Sequence, residues 1–236
     1  MVPLRDDNPV SITPVVVYAL LAINVAVFIH QLTLQGGAGG PGLQQFFDEW
    51  AIVPAQLTSS FATGVDQEWF TLISSQFLHG GLLHLGGNML YLWVFGNNVE
   101  DQLGHGKFLF FYIFCGVLAG LAQWFFDPAS SIPTLGASGA VAGVMGAYIL
   151  RFPKAKILTL VPLFIFITTF RIPAIFFLGW WFIQQTFYSL MSLNATADVG
   201  ASGGVAYWAH AGGFVFGAIL GPLLGLFSKG RDDYRF

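Results

Sequence analysis

Long apolar runs separated by short polar stretches dominate the chain. They cover residues 14–34, 82–99, 107–126, 138–150, 157–190 and 205–227. Most approach the roughly 20 residues that a helix needs to cross a hydrocarbon core about 30 Å thick. Arg171 splits the fifth run into 157–170 and 172–190. Counting both pieces predicts seven crossings; counting only the second predicts six. Charge selects six. With the N-terminus inside, the inner segments then hold Arg5, Lys107, the group Arg151, Lys154, Lys156 and Arg171, and the group Lys229, Arg231 and Arg235. The outer loops 35–81, 127–137 and 191–204 contain no lysine or arginine, as the positive-inside rule requires. Residues 157–170 are then expected along the inner interface or packed against the bundle.

Composition agrees. Hydrophobic residues make up 55% of the 236 residues and charged ones 9%, against about a quarter charged in soluble domains. The predicted class is an all-α membrane protein with both termini cytoplasmic. Residues 1–236 form a single domain, with short tails over about 1–13 and 228–236. The net charge of −3 gives no reason to expect nucleic acid, and the one cysteine, Cys115, excludes an internal disulfide framework. The N-terminal residues lack a signal-peptide pattern, so the first run is expected to remain as an anchor. The first outer loop carries Trp50, Phe61, Trp69 and Phe70, residue types that favour the membrane interface.

The fourth run is short. From Ser138 to Arg151 is thirteen residues, about 20 Å of helix, so Ser138 is expected about 10 Å below the outer surface. The irregular stretch 133–137 reaches that depth only by lining an enclosed or watery cavity. His210 lies about two turns into the last run, counted from Gly203-Gly204. His84 and Asn88, spaced i, i+4, share a face of the second. Three helices thus bring polar groups to one level. Gly139 and Gly143, and the ladder Gly213, Gly217, Gly221 and Gly225, read as close-packing faces.

A serine hydroxyl needs a base within hydrogen-bond reach to act as a nucleophile, and His210 is the candidate. None of the twelve acidic residues lies within a run at that depth, and Asp198 in the last outer loop is the remote contender. A Ser138–His210 dyad is the economical reading. Oxyanion donors would be the Asn88 amide, the His84 imidazole and the backbone N–H of Ser138. Taken alone, a serine in a glycine-rich helix is more often a packing residue, whereas a histidine in a membrane segment is by default a functional candidate. His30 and His105 near run ends read as interfacial, His79 as structural, and Glu100-Asp101 as a tie between loops. Neither an H-E-x-x-H zinc site nor a G-x-S-x-G elbow is present, and no metal or organic cofactor is expected.

The segments 77–89 (FLHGGLLHLGGNM), 96–101 (GNNVED), 136–140 (GASGA), 171–174 (RIPA) and 209–213 (AHAGG) closely resemble the rhomboid family of intramembrane serine proteases. The likeness runs from about residue 14 to 227. It implies a six-transmembrane-helix bundle, Ser138 as nucleophile, His210 as base, oxyanion roles for Asn88 and His84, and substrates that are transmembrane segments of other proteins. It also implies entry between the second and fifth helices, near Trp180-Trp181-Phe182. Where many members carry Trp-Arg in the first loop, this chain has Trp69-Phe70. Where some place an aromatic one turn after the serine to support the histidine, it has Ala142. Rival readings are a catalytically inactive relative that binds membrane proteins, and a transporter. A bacterial inner membrane is the expected location.

Overall fold

Backbone groups in lipid must be satisfied within the protein, and this chain satisfies them chiefly with long helices around one packed core. The computed structural model describes residues 1–34, 41–64, 66–163, 166–193 and 206–228. In chain order these give β1 (Val2–Asp6), α1 (Val15–Thr33), α2 (Pro41–Trp50), α3 (Pro54–Thr63), a 3-10 turn (Asp66–Phe70), α4 (Thr71–Ser74) and a second 3-10 turn (Ser75–Phe77). There follow α5 (Leu82–Leu103), α6 (His105–Phe126), α7 (Ser138–Arg151), β2 (Lys156–Leu163), β3 (Phe166–Pro173), α8 (Ala174–Ser192) and α9 (Tyr207–Leu224). Among the described residues, three helices, α1, α6 and α9, are long and apolar enough to cross a membrane.

Every residue of α7 from Gly139 to Ile149 is buried. Glycine allows this enclosure. A Cβ on Gly217 would overlap the carbonyl of Gly143, and one on Gly146 would overlap that of Phe214, so α7 and α9 touch backbone to backbone. On the other side of α7, Gly139 and Gly143 admit Ala119 and Cys115 of α6. The glycine faces read from the sequence therefore do meet.

Two expectations need correction. The chain is mostly helical but not all-α: β1, β2 and β3 form an antiparallel sheet in that order. Residues 157–170, expected along the inner interface or packed against the bundle, supply most of β2 and β3. Alternation explains the outcome, because Ile157 and Thr159 are fully buried while Lys156 faces out, and the stretch is rich in β-branched residues that fit a pleated surface. Pro162 also denies it a continuous helix. Nor is the start of the chain a free tail. Asp6 accepts a hydrogen bond from the Tyr148 hydroxyl of α7 at 2.5 Å, Asn8 donates to the same hydroxyl, and Asp7 accepts from the Lys156 N–H.

Helix directions alternate. Glu100 near the end of α5 accepts hydrogen bonds from Val16 and Val17 at the start of α1, and Lys107 at the start of α6 donates to the Leu224 carbonyl at the end of α9. Arg5, Lys107, Arg151, Lys154, Lys156 and Arg171 all belong to this end of the bundle or to the sheet attached to it. Lys229, Arg231, Arg235, Asp198 and Gly203-Gly204 lie outside the described residues. At the opposite end the segment between α1 and α5 folds into α2–α4 around Ile52, Leu57 and Leu72, against Val117, Leu121 and Trp124 of α6. Phe61 sits edge-on to Trp69 and stacks on Trp124, while Phe70 sits edge-on to Trp50.

Candidate active site

α7 begins at Ser138, two residues after a glycine whose backbone no helix accommodates. Gly136 has φ +127°, a region that L side chains avoid, and donates its N–H to the Ser75 carbonyl. A Cβ there would also come within 2.7 Å of His84 Nε2. The turn thus sets the serine at a helix start and brings α5 against it.

The Ser138 hydroxyl lies 2.8 Å from His210 Nε2. The other ring nitrogen, Nδ1, lies 2.8 Å from Gln185 Oε1 of α8. A carbonyl oxygen only accepts, so Nδ1 carries the proton and donates, leaving the Nε2 lone pair free to accept from the serine. The Trp181 ring, one turn before Gln185, lies 5.8 Å from the imidazole, centroid to centroid, tilted by 37°.

His84, Asn88, Ser138 and His210, the four residues singled out from the sequence, line one open cavity of about 730 Å³. Tyr91, Met145 and Trp181 complete its apolar wall, and the exposed Leu82 and Leu83 stand at its rim. His84 Nδ1 accepts the Gly80 N–H at 3.4 Å, which leaves its Nε2–H, beside Gly136, as a donor. Asn88 Nδ2 is buried and makes no hydrogen bond. Neither His84 nor Asn88 bonds Ser138 directly, so the arrangement sets a hydroxyl against an imidazole with unengaged donors nearby. Such a set can perform acyl transfer.

His79 has a framing position rather than a place in the cavity wall. Its backbone N–H donates to Gln31 Oε1, and its carbonyl accepts from Gln31 Nε2, tying the start of α5 to α1. Burial, with the neighbouring His84 adding to it, pushes its imidazole down to about 4, which keeps it neutral. His105 pairs with Glu100 at 2.6 Å. Among the described residues no cluster of side chains could hold a metal ion.

Gln185 was missed by the sequence reading, and Trp181 entered it only as part of a proposed entry region. Their signal was faint: a glutamine inside an apolar helix, four residues after a tryptophan and so on the same face. The support that an aromatic at position 142 would give comes from α8 instead.

A family model described as "Rhomboid domain" matches residues 66–227. Over 210 residues the chain is 32% identical to Rhomboid protein 1, mitochondrial, of Saccharomyces cerevisiae, covering 87% of this chain and 52% of that protein. It is 34% identical over 134 residues to Rhomboid protease GluP of Bacillus subtilis, covering 57% of this chain and 24% of that one. To the human presenilin-associated rhomboid-like protein, mitochondrial, it is 29% identical over 124 residues, covering 48% and 33%. The chain thus spans about half the length of the yeast relative and less of the other two.

Proposed function

The chain belongs to the rhomboid family, and from that premise we propose that it is an intramembrane serine endopeptidase acting through a Ser138–His210 dyad. The observation that carries the reading is the 2.8 Å contact between Ser138 Oγ and His210 Nε2 inside a cavity that Asn88 and His84 also line.

In the proposed reaction His210 Nε2 takes the hydroxyl proton as Ser138 Oγ bonds to the scissile carbonyl carbon. The carbonyl oxygen becomes an oxyanion facing Asn88 Nδ2, His84 Nε2–H and the Ser138 backbone N–H. His210 then returns the proton to the amine nitrogen as the C–N bond breaks, leaving an acyl-enzyme. Water, deprotonated by the same nitrogen, displaces the acyl group and regenerates the serine. Substrates are transmembrane segments of other proteins, which enter the cavity sideways from the bilayer.

We further propose six crossings within a single membrane domain, formed by α1, α5, α6, α7, α8 and α9, with both termini on the cytoplasmic side. The alternating helix directions and the collection of cations at one end of the bundle support this topology. The protein is embedded in a membrane. The relatives named above come from mitochondria and a bacterium alike, so a bacterial plasma membrane gains no support from them.

The test is cleavage of a single-span reporter by protein reconstituted in lipid. Ser138→Ala and His210→Ala should each lower turnover by on the order of 10⁴-fold or more while remaining folded. Turnover retained by either folded variant would remove that residue from the chemistry. A wild type that binds but cuts no reporter would favour a binding role.

A further inference from the structure

We propose that Gln185 is a positioning residue of the dyad, holding His210 in the tautomer whose free Nε2 faces Ser138. The inference rests on the protease reading and concerns how its base is prepared. In a serine–histidine pair the second ring nitrogen must be held by an acceptor, or the imidazole can present N–H rather than a lone pair to the serine. No carboxylate among the described residues bonds His210. The titratable groups that line the cavity with it are His84 and Tyr91 of α5. The acceptor that reaches Nδ1 is Gln185 Oε1, at 2.8 Å.

An amide suits this depth. A carboxylate at this half-buried position would lose part of its hydration, whereas an amide oxygen fixes the tautomer without a charge. The choice has a second consequence, because an amide has two ends. With Oε1 toward the ring, Nδ1 donates and Nε2 can accept the serine proton. With the amide turned over, its NH₂ donates to Nδ1, and Nε2 then bears a proton and cannot act as base. The tilted Trp181 ring limits rotation of the imidazole from the same helix. Both supports come from α8, whose buried residues are limited to Ala174, Phe177, Leu178 and Ser189. The readiness of the base therefore depends on α8 being seated.

The test combines spectroscopy with kinetics on the full chain in lipid. Nitrogen-15 NMR of histidine-labelled protein, with His210 assigned by comparison with His210→Ala, reads the tautomer directly. Wild type is expected to show Nδ1 protonated and Nε2 bare, and Gln185→Leu to lose that preference. Gln185→Glu, which as a carboxylate can only accept, should keep it. Its titration midpoint and the acidic limb of its pH–rate profile should both move up by about one pH unit or more, since an opposite charge within about 4–6 Å favours the protonated ring. On the reporter, Gln185→Leu should lower kcat by roughly 10²-fold and leave KM within about twofold, while Gln185→Glu keeps most of the turnover near neutral pH. A wild-type ring protonated at Nε2, or a tautomer unchanged in Gln185→Leu, would overturn the proposal. The spectra read the imidazole whether or not the protein cleaves. The expected spectra alongside a Ser138→Ala variant that cleaves like wild type would sink the protease reading alone.

Discussion

The two ends of the helix bundle treat buried polar groups in opposite ways. At the Arg151 end, Glu100 is fully buried and accepts from two backbone N–H groups of α1 while pairing with His105. Asp101 accepts from Ser11, Gln102 from Arg151, and Asp6 from Tyr148. At the Ser138 end, Asn88 Nδ2 and both ring nitrogens of His79 are buried without a hydrogen-bond partner, and a cavity replaces packing. Asn98 Oδ1 is an exception at the satisfied end. Fully connected polar networks rigidify a core, and unmet donors cost stability. One end fixes the helices, and the other keeps donors in reserve.

The comparison breaks most clearly if the satisfied end proves dispensable. Glu100→Ala should lower unfolding stability by roughly 2–4 kcal/mol, because the Val16 and Val17 N–H groups lose their buried acceptor, while cleavage per folded molecule stays near wild type. A drop in specific activity without a change in unfolding would reverse the assignment of the two ends. The mirror case is Asn88→Ala. It should lower kcat by about 10²–10³-fold and leave thermal unfolding unchanged or raised. Gly217→Ala probes the seam that joins both ends. The added methyl meets the Gly143 carbonyl, and a loss of roughly 1–3 kcal/mol should appear together with reduced turnover.

The smallest effect concerns Asp6, whose carboxyl is raised to about 6, chiefly by burial. The folded form holds its proton to higher pH than the unfolded chain does. Its contribution to stability is therefore present below about pH 4 and lost as pH rises through 6. The loss should be on the order of 1–3 kcal/mol. Unfolding measured at pH 4 and pH 7 should show this slope in the wild type and lose it in Asp6→Asn.

These contrasts also show what the sequence made legible. The apolar runs marked the helices to within a few residues, because hydrophobic length is a local property. Ser138, His210, His84 and Asn88 could be brought together from depth alone, since each sits at a countable distance from a helix end. The sheet was not legible in the same way. Pairing of Val2 with Leu160 is set by register between distant segments, and the local trace was the short alternation at residues 156–160. Gln185 escaped for a different reason. Its role depends on the rotation of α8 about its own axis, which the adjacent Gln184 and Gln185, on different faces, leave undecided.

The pairing of β1 with β2 has a consequence for how the protein is made. β1 is made well before its partner, which follows about 155 residues later. At roughly 5–20 residues per second, that strand waits about 8–30 s while the helices between them are made. Throughout that interval its backbone edge is open to other strands. The clasp on Tyr148 closes only after α7 has been made. A fusion or deletion near Val2 would therefore impair assembly of newly made protein while leaving the chemistry of finished molecules intact.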